Sequence, residues 1–346
     1  MASATPRIRF RDQQIEMAHG AGGKASRRLI EGLFAPILFD SPSEPLGDAA
    51  HLSIDGARIA ITADSFVVSP LSFPGGSIGE LAVNGTVNDL AVSGARAEAL
   101  VVTFVLEAGL STQVLEAEVS AMGRAARAAG VTIAGGDTKV VEHGKADSMY
   151  ITTAGVGRPI PGLQCSARSA RPGDAILLSG PIGDHGITIL LARGELDLEA
   201  DLRSDTRPVL EMVEAVARVA GTAVRWMRDP TRGGVATALN EFARDAGLGV
   251  YLFEDRIPVR DEVRGACELL GLDPLHIANE GQFLAVVARA QADAALDALQ
   301  QSPGGSGARK IGEVREQPAC AVLASTPYGG TRIVDMLVGD PLPRIC

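Results

Sequence analysis

The chain has 346 residues, 46% of them hydrophobic, which is room for roughly two domains with packed cores. Thirty-two basic against 42 acidic residues give a net charge of −10, which repels polyanions and argues against non-specific binding to nucleic acid or an anionic membrane unless a local patch reverses the sign. A small anion such as a nucleotide remains compatible, because glycine-rich backbone and a divalent cation neutralise phosphate without a basic surface.

The start, MASATPRIRFRDQQIEMAHG, lacks the apolar core of a secretory signal, and the longest apolar run, ALVVTFVL at 99–106, is far shorter than a membrane helix. A soluble, cytoplasmic protein is expected. HGAGGK at 19–24 has consecutive glycines that let backbone N–H groups face an anion, but Ala18 and Ala25 break the Walker A pattern. It reads either as a phosphate contact or as a plain turn.

HLSIDGARIAITADSF reads as a hairpin turning at Asp55-Gly56 and delivers Asp64 just past a strand. SIGELAVNGTVNDLAVSGA reads as a helix with Ser77 and Glu80 as a capping box and with Asn84 and Asn88 on one face. EALVVTFVL is a buried strand, Ser111 to Ala129 a helix stopped by Gly130, and VTIAGGDTKVV and SMYITTAGVG are further strands. This β-β-α-β-α-β-β order predicts a mixed sheet with helices on one side.

RPIPGLQCSARSARPG, 158–173, has no periodicity and is the expected linker between domains 1–157 and 174–334. The second half opens on the strand DAILLSG and the turn GPIGDHG. Pro208 and Pro258 are placed to start helices, GQFLAVVA is a strand, and KIGEVRE and CAVLAST are the last strands. From 335 the chain has too little apolar surface to fold alone and is expected to be a flexible or extended tail, 335–346. Eight residues from Gly339 to Cys346 reach about 25 Å when extended.

Four aspartates stand at predicted element ends beside small residues: Asp48, Asp64, Asp89 and Asp137. Each alone reads as a cap or turn former, whereas the four together are hard oxygen ligands suited to Mg²⁺ and a triphosphate. Lys139 shares a strand face with Asp137 and reads as a phosphate or carbonyl contact, or as an exposed lysine. DPTRGG sets Thr231 and Arg232 at a helix start fit for an anion. His185 in its glycine turn reads as a structural, hydrogen-bonded histidine. Glu280 precedes a buried strand, where desolvation makes a proton acceptor, and it can equally cap or pair. Cys165, Cys267, Cys320 and Cys346 are too scattered for a zinc site or redox pair, and the terminal Cys346 is either a frayed end or a reactive thiol.

HGAGG, the block ADSFVVSPLSFPGGSIGELAVNGTVNDLAVSGA, AGGDTKVV, LLSGPIGDHG, DPTRGG, NEG and the terminal PRIC together resemble the HypE family of hydrogenase-maturation carbamoyl dehydratases. The central blocks are similar to the wider PurM-like ATP-binding superfamily, and PRIC singles out the HypE family. The resemblance implies a two-domain PurM-like α/β fold with mixed sheets, a homodimer whose N-terminal sheets join into a barrel, and ATP in the cleft. It also implies that Cys346 receives a carbamoyl group from the carbamoyltransferase HypF, that ATP and Mg²⁺ drive its dehydration to a thiocyanate, and that the cyanide goes to iron on a HypC–HypD scaffold for NiFe hydrogenase. On that reading Cys346, Lys139 and Glu280 are catalytic, and Asp48, Asp64, Asp89 and Asp137 hold metal. The nucleotide-binding set adds Gly22, Gly23, Asn84, Gly135, Gly136, Thr138, Thr231 and Arg232 to these aspartates. The competing readings are a PurM-like synthetase or kinase of a free small substrate, and a nucleotide-regulated metal carrier.

Overall fold

The computed structural model describes residues 9–38, 47–194, 200–326, 329–339 and 342–346. A short helix α1 (Gly23–Leu29) and a single turn α2 (Ala35–Leu38) precede the first domain. That domain contains β1 (Ala50–Ile54), β2 (Ala57–Phe66), the two-residue pair β3 (Ser72–Phe73) and β4 (Gly76–Ser77), α3 (Ile78–Val92), β5 (Ala95–Glu107), α4 (Thr112–Ala129), β6 (Thr132–Val141) and β7 (Met149–Pro159). The hairpin turns at Asp55 and Gly56, with φ of 50° and 82°, as the Asp-Gly pair predicts. The sheet runs β1-β2-β7-β5-β6, and only β5 and β6 are parallel. Alternate residues of β2, β7 and β5 are buried on one face, where α3 lies, so the mixed sheet carries its helices on one side.

The second domain contains β8 (Ala175–Leu178), α5 (Asp184–Ala192), α6 (Leu210–Ala220), β9 (Val224–Arg228), α7 (Gly234–Ala246), β10 (Gly249–Phe253), α8 (Asp261–Leu270), β11 (Leu284–Val287), α9 (Ala292–Gln301), β12 (Arg309–Arg315), β13 (Val322–Ser325) and β14 (Thr331–Ile333). Its sheet order is β14-β13-β10-β12-β8-β11-β9, with β10 and β13 parallel. The helices expected from Pro208 and Pro258 begin later, at Leu210 and Asp261. Both regions are held by tertiary bonds: the Val209 N–H donates to Asn88 Oδ1 at 2.8 Å, and the Pro258 carbonyl accepts from Ile182 N at 3.0 Å.

The predicted capping box on α3 is absent, because Ser77 makes no side-chain cap bond. The Gly79 N–H donates instead to Glu118 Oε2 of α4 at 3.0 Å. A Cβ at Gly79 would stand 2.2 Å from the Glu118 carbonyl, so the two helices cross at a point only glycine permits. Gly79→Ala is therefore expected to cost about 1–3 kcal/mol, read as a lower urea midpoint. An unchanged midpoint would show that the crossing relaxes freely.

One apolar cluster spans both domains, joining Phe66, Val68, Ile78 and Leu81 to Ile187, Val263, Ile277 and the terminal Leu342, Ile345 and Cys346. Among its described residues the tail has neither helix nor strand, and its last five residues are not loose. They are seated in the interdomain cleft because Leu342 and Ile345 supply the apolar contact that a free arm lacks. Among the described residues no helix is long and apolar enough to cross a membrane.

Candidate active site

Asp48 precedes β1, Asp89 lies on α3, and Asp229 follows β9. One carboxylate oxygen of each lies within 4.8 Å of the others. The Thr62 hydroxyl sits 2.9 Å from Asp89 Oδ2 and 2.7 Å from the Asp48 carbonyl. Arg228 meets Asp48 at 3.1 Å and Glu241 at 2.7 Å. Asp64 on β2 shares the parity of the buried Phe66 and is opposite Thr153, whose hydroxyl is bonded to Thr86 of α3, so it faces the same side as Asp89.

Burial and then the neighbouring Asp48 charge push Asp229 up to about 8, and desolvation with Asp229, Asp48 and Asp64 raises Asp89 well above the carboxylate range. Three carboxylates so close oppose one another's ionisation, and their oxygens are the hard donors a Mg²⁺ ion takes. The fit has a consequence for stability. Between its ordinary 3.8 and about 8, folded Asp229 holds a proton that the unfolded chain has released, so its contribution to stability declines as pH rises through that window. Metal-free protein is expected to melt at a lower temperature at pH 8 than at pH 6, with Mg²⁺ restoring more at pH 8. Asp229→Asn should flatten that slope, and an unaltered slope would remove Asp229 from the cause.

Asp137 and Lys139 do not join this cluster within the chain. Asp137 is opposite Thr103, which is opposite Thr152, whose hydroxyl bonds Ser65. That is the sheet face turned away from α3, and there the Lys139 ammonium pairs with Asp137, both exposed. Gly135 lies on the same face, whereas Gly136 and Thr138 alternate to the other, on a strand exposed along nearly its whole length. A Cβ on Gly136 would collide with the Val102 carbonyl at 1.8 Å, so this glycine is required by the β5–β6 pairing itself.

The glycine turn and DPTRGG come together. Gly22 and Gly23, with φ of 78° and 69°, leave no room for a Cβ beside the carbonyls of Arg232 and Leu337, 2.8 and 2.5 Å away. Arg232 donates to the Gly20 carbonyl at 3.0 Å, and Thr231 is half-buried at the following helix entry, where its carbonyl accepts from Gly234 N at 2.9 Å. Cys346 foremost, then Asp64, Glu280 and Asp89, hold the Arg232 guanidinium above the ordinary arginine range.

The terminal cysteine is buried, and the Val67 N–H donates to its carboxyl-terminal oxygen at 2.9 Å. Glu280 is 3% exposed and fixed through its backbone, the N–H donating to Asp205 at 3.0 Å and the carbonyl accepting from Asn88 at 3.0 Å. Among the described residues its Oε1 has no hydrogen-bond partner, nor has Asn84 Oδ1, although Asn84 Nδ2 donates to Thr206 at 3.2 Å. Desolvation first, then Asp229, Asp64 and Asp205, raise Glu280 well above its ordinary range. Gly85 on α3 makes room for it, since a Cβ there would meet Phe66 at 2.8 Å and come within 3.9 Å of Glu280 Oε2.

Reading the sequence missed Asp229, Arg228, Asp205 and Asn279. Asp229 stood in view as the first residue of DPTRGG. Asn279, which accepts from Gly183 N at 2.7 Å and donates to Pro230 O at 2.9 Å, ties the GPIGDHG turn to that motif.

Residues 46–158 match the family described as AIR synthase related protein, N-terminal domain, and residues 171–324 match its C-terminal domain. The carbamoyl dehydratase HypE of Azotobacter vinelandii is 49% identical over 340 residues, covering 98% of this chain and 99% of that protein. The chain belongs to the HypE family. A solved HypE in complex with ATP superimposes with a TM-score of 0.80 at 45% identity, over 95% of this chain and 99% of that one. A HypE–HypF complex gives a TM-score of 0.84 at 42% identity, over 89% and 99% of the two chains. The mixed-sheet, two-domain fold expected from the motifs is thus the HypE fold.

Proposed function

We propose that this chain uses ATP to dehydrate a carbamoyl group carried on the thiol of its own Cys346, producing the thiocyanate that supplies cyanide for NiFe hydrogenase assembly. The observation that carries this reading is the burial of a C-terminal cysteine in a cleft where Glu280, Asp64 and Arg232 share its electrostatic surroundings. A kinase of free substrates has no use for such a tail.

The amide oxygen of the thiocarbamate leaves poorly as hydroxide. Its attack on the γ-phosphate of ATP expels ADP and turns it into a phosphate leaving group, while Glu280 takes one nitrogen proton. Loss of the second nitrogen proton with departure of phosphate forms the carbon–nitrogen triple bond. Asp48, Asp89 and Asp229, with Asp64 beside them, are the residues that would hold Mg²⁺, which would offset charge on the transferring phosphoryl. Arg232 adds a cation at the mouth, and the docked tail excludes water that would compete for both the phosphoryl group and the carbon.

Asp137 and Lys139 enter this scheme through a second copy. The outer face of the first sheet exposes Leu52, Ile54, Ile61 and Val101 beside them, an apolar surface suited to a matching sheet, and a homodimer formed there presents both residues to the partner's cleft. The solved HypE–HypF complex supports HypF as a partner, and on this reading HypF is the carbamoyl donor and a HypC–HypD scaffold the cyanide acceptor. The test is intact-mass spectrometry with HypF, carbamoyl phosphate and ATP. One carbamoyl group should appear at Cys346, and one water should be lost on adding Mg-ATP. A carbamoylated chain that keeps its water would overturn the reading.

A further inference from the structure

The GPIGDHG turn has no part in the chemistry above, yet it leads directly to the tail. We propose that α5 and its capping residue Arg193 form a receptor for the terminal peptide, in which His185 and Arg193 hold the main chain of residues 343–345, Gly186 makes room for Leu342, and Cys346 is so positioned for reaction. These are positioning residues, since none of them needs to touch the reacting atoms.

The contacts have a common character. Arg193 donates to the carbonyls of Pro343 and of Arg344, the latter at 2.9 Å, and its Nε donates to the Ser69 carbonyl at 3.1 Å, so one guanidinium joins tail, second domain and first domain. His185 Nε2 lies 3.0 Å from the Ile345 carbonyl, and Nδ1 lies 2.7 Å from Ser204 Oγ. The Ile345 carbonyl can only accept, so Nε2 carries the ring proton, and the Ser204 hydroxyl, which accepts from the Thr206 N–H at 3.1 Å, sends its own proton to Nδ1. Nδ1 is then the acceptor, Nε2 keeps the ring proton, and that proton is donated to Ile345. Burial pushes His185 down to about 4, in line with a neutral ring. Gly186 clears the seat of Leu342, because a Cβ there would stand 3.3 Å from Leu342 Cδ1 and 2.6 Å from Ile277 Cγ2.

Toward the first domain, the tail's Arg344 donates to the Val67 carbonyl at 3.1 Å and pairs with Asp147 at 2.6 Å. Nearly everything α5 grips is a carbonyl upstream of the cysteine. Recognition is therefore indifferent to what the sulfur carries, and the same seat accepts the bare, carbamoylated and dehydrated tail. This inference rests on the tail reading above, with a readout that does not need turnover.

The experiment measures iodoacetamide labelling of full-length protein, site by site, by peptide mass spectrometry. Exposed Cys320 serves as the reference for reagent strength. A hydrogen bond from a charged donor is worth about tenfold or more in an opening equilibrium, so Arg193→Met should speed labelling of Cys346 at least about tenfold at an unchanged melting temperature. His185→Phe should do the same, and His185→Gln, which keeps an N–H for Ile345, should restore slow labelling. Cys346 labelled at the wild-type rate in both Arg193→Met and His185→Phe would overturn the receptor. So would a rise accompanied by a matching fall in melting temperature, or a His185→Gln variant as fast as His185→Phe. If the receptor behaves as expected but the carbamoylated wild type never loses water, the dehydratase reading fails and the receptor stands.

Discussion

Cys346→Ala is expected to abolish both carbamoyl uptake from HypF and nitrile formation, while the protein still folds and binds nucleotide. The other thiols offer no substitute. Burial pushes Cys165 up to about 12 and Cys267 up to about 11, which leaves neither with appreciable thiolate near neutral pH, and Cys320 is exposed in the turn before β13, outside the tail. The variant is clean because the seat of the tail is made by backbone atoms: Val67 N–H to the terminal oxygen, His185 to Ile345, and Arg193 to Pro343 and Arg344 all survive loss of the sulfur. Intact-mass spectra with HypF, carbamoyl phosphate and ATP give the readout. A carbamoyl gain on the alanine variant would move the acceptor elsewhere and end the swinging-tail scheme.

Local chemistry decided which parts of the molecule could be read from sequence. The hairpin at Asp55-Gly56 and the helix from Ser111 to Gly130 are set by neighbours, since a positive-φ pair closes one and Gly130, with φ 66°, ends the other. The α3 cap is set by Glu118 of another helix, and no capping pattern within SIGE contains that information. Of the four aspartates grouped from sequence, Asp137 lies apart from the other three. Asp137 resembles Asp64 in its small neighbours, but strand alternation turns one toward α3 and the other outward, and which face α3 covers is a tertiary fact. Asp229 was hidden by its own motif, because an aspartate before proline reads first as a turn former. His185 looked structural because its partner Ile345 is 160 residues away and docks by shape as much as by sequence.

The docked tail and the buried acids answer different needs of one reaction. A tail held through its carbonyls can leave and return with new cargo at little cost in specificity, whereas the carboxylates must stay in a dry cleft where a cation and a phosphoryl group are drawn to them. Arg232 belongs to both, held by the glycine turn on one side and by the charge of Cys346 on the other. Docking of the tail therefore brings negative charge to the cation that also faces Asp64 and Glu280.

Glu280→Gln is expected to leave carbamoylation and ATP binding intact while slowing the loss of water on the order of 100-fold or more, the usual contribution of a positioned base. Glutamine has the same shape, and the bonds that fix residue 280, from its N–H to Asp205 and from Asn88 to its carbonyl, belong to the backbone. What changes is the single capacity to take a proton. The native carboxyl is suited to that task because desolvation and the nearby Asp229, Asp64 and Asp205 raise it above the ordinary glutamate range, against the pull of Arg232. A base so raised is held protonated at low pH, so the wild-type rate of water loss should climb as pH increases through the raised value and then level off. The glutamine variant should show no such climb. Single-turnover mass spectrometry of carbamoylated protein mixed with Mg-ATP across a pH series separates the two, and an unchanged rate in the glutamine variant would assign proton removal to another group.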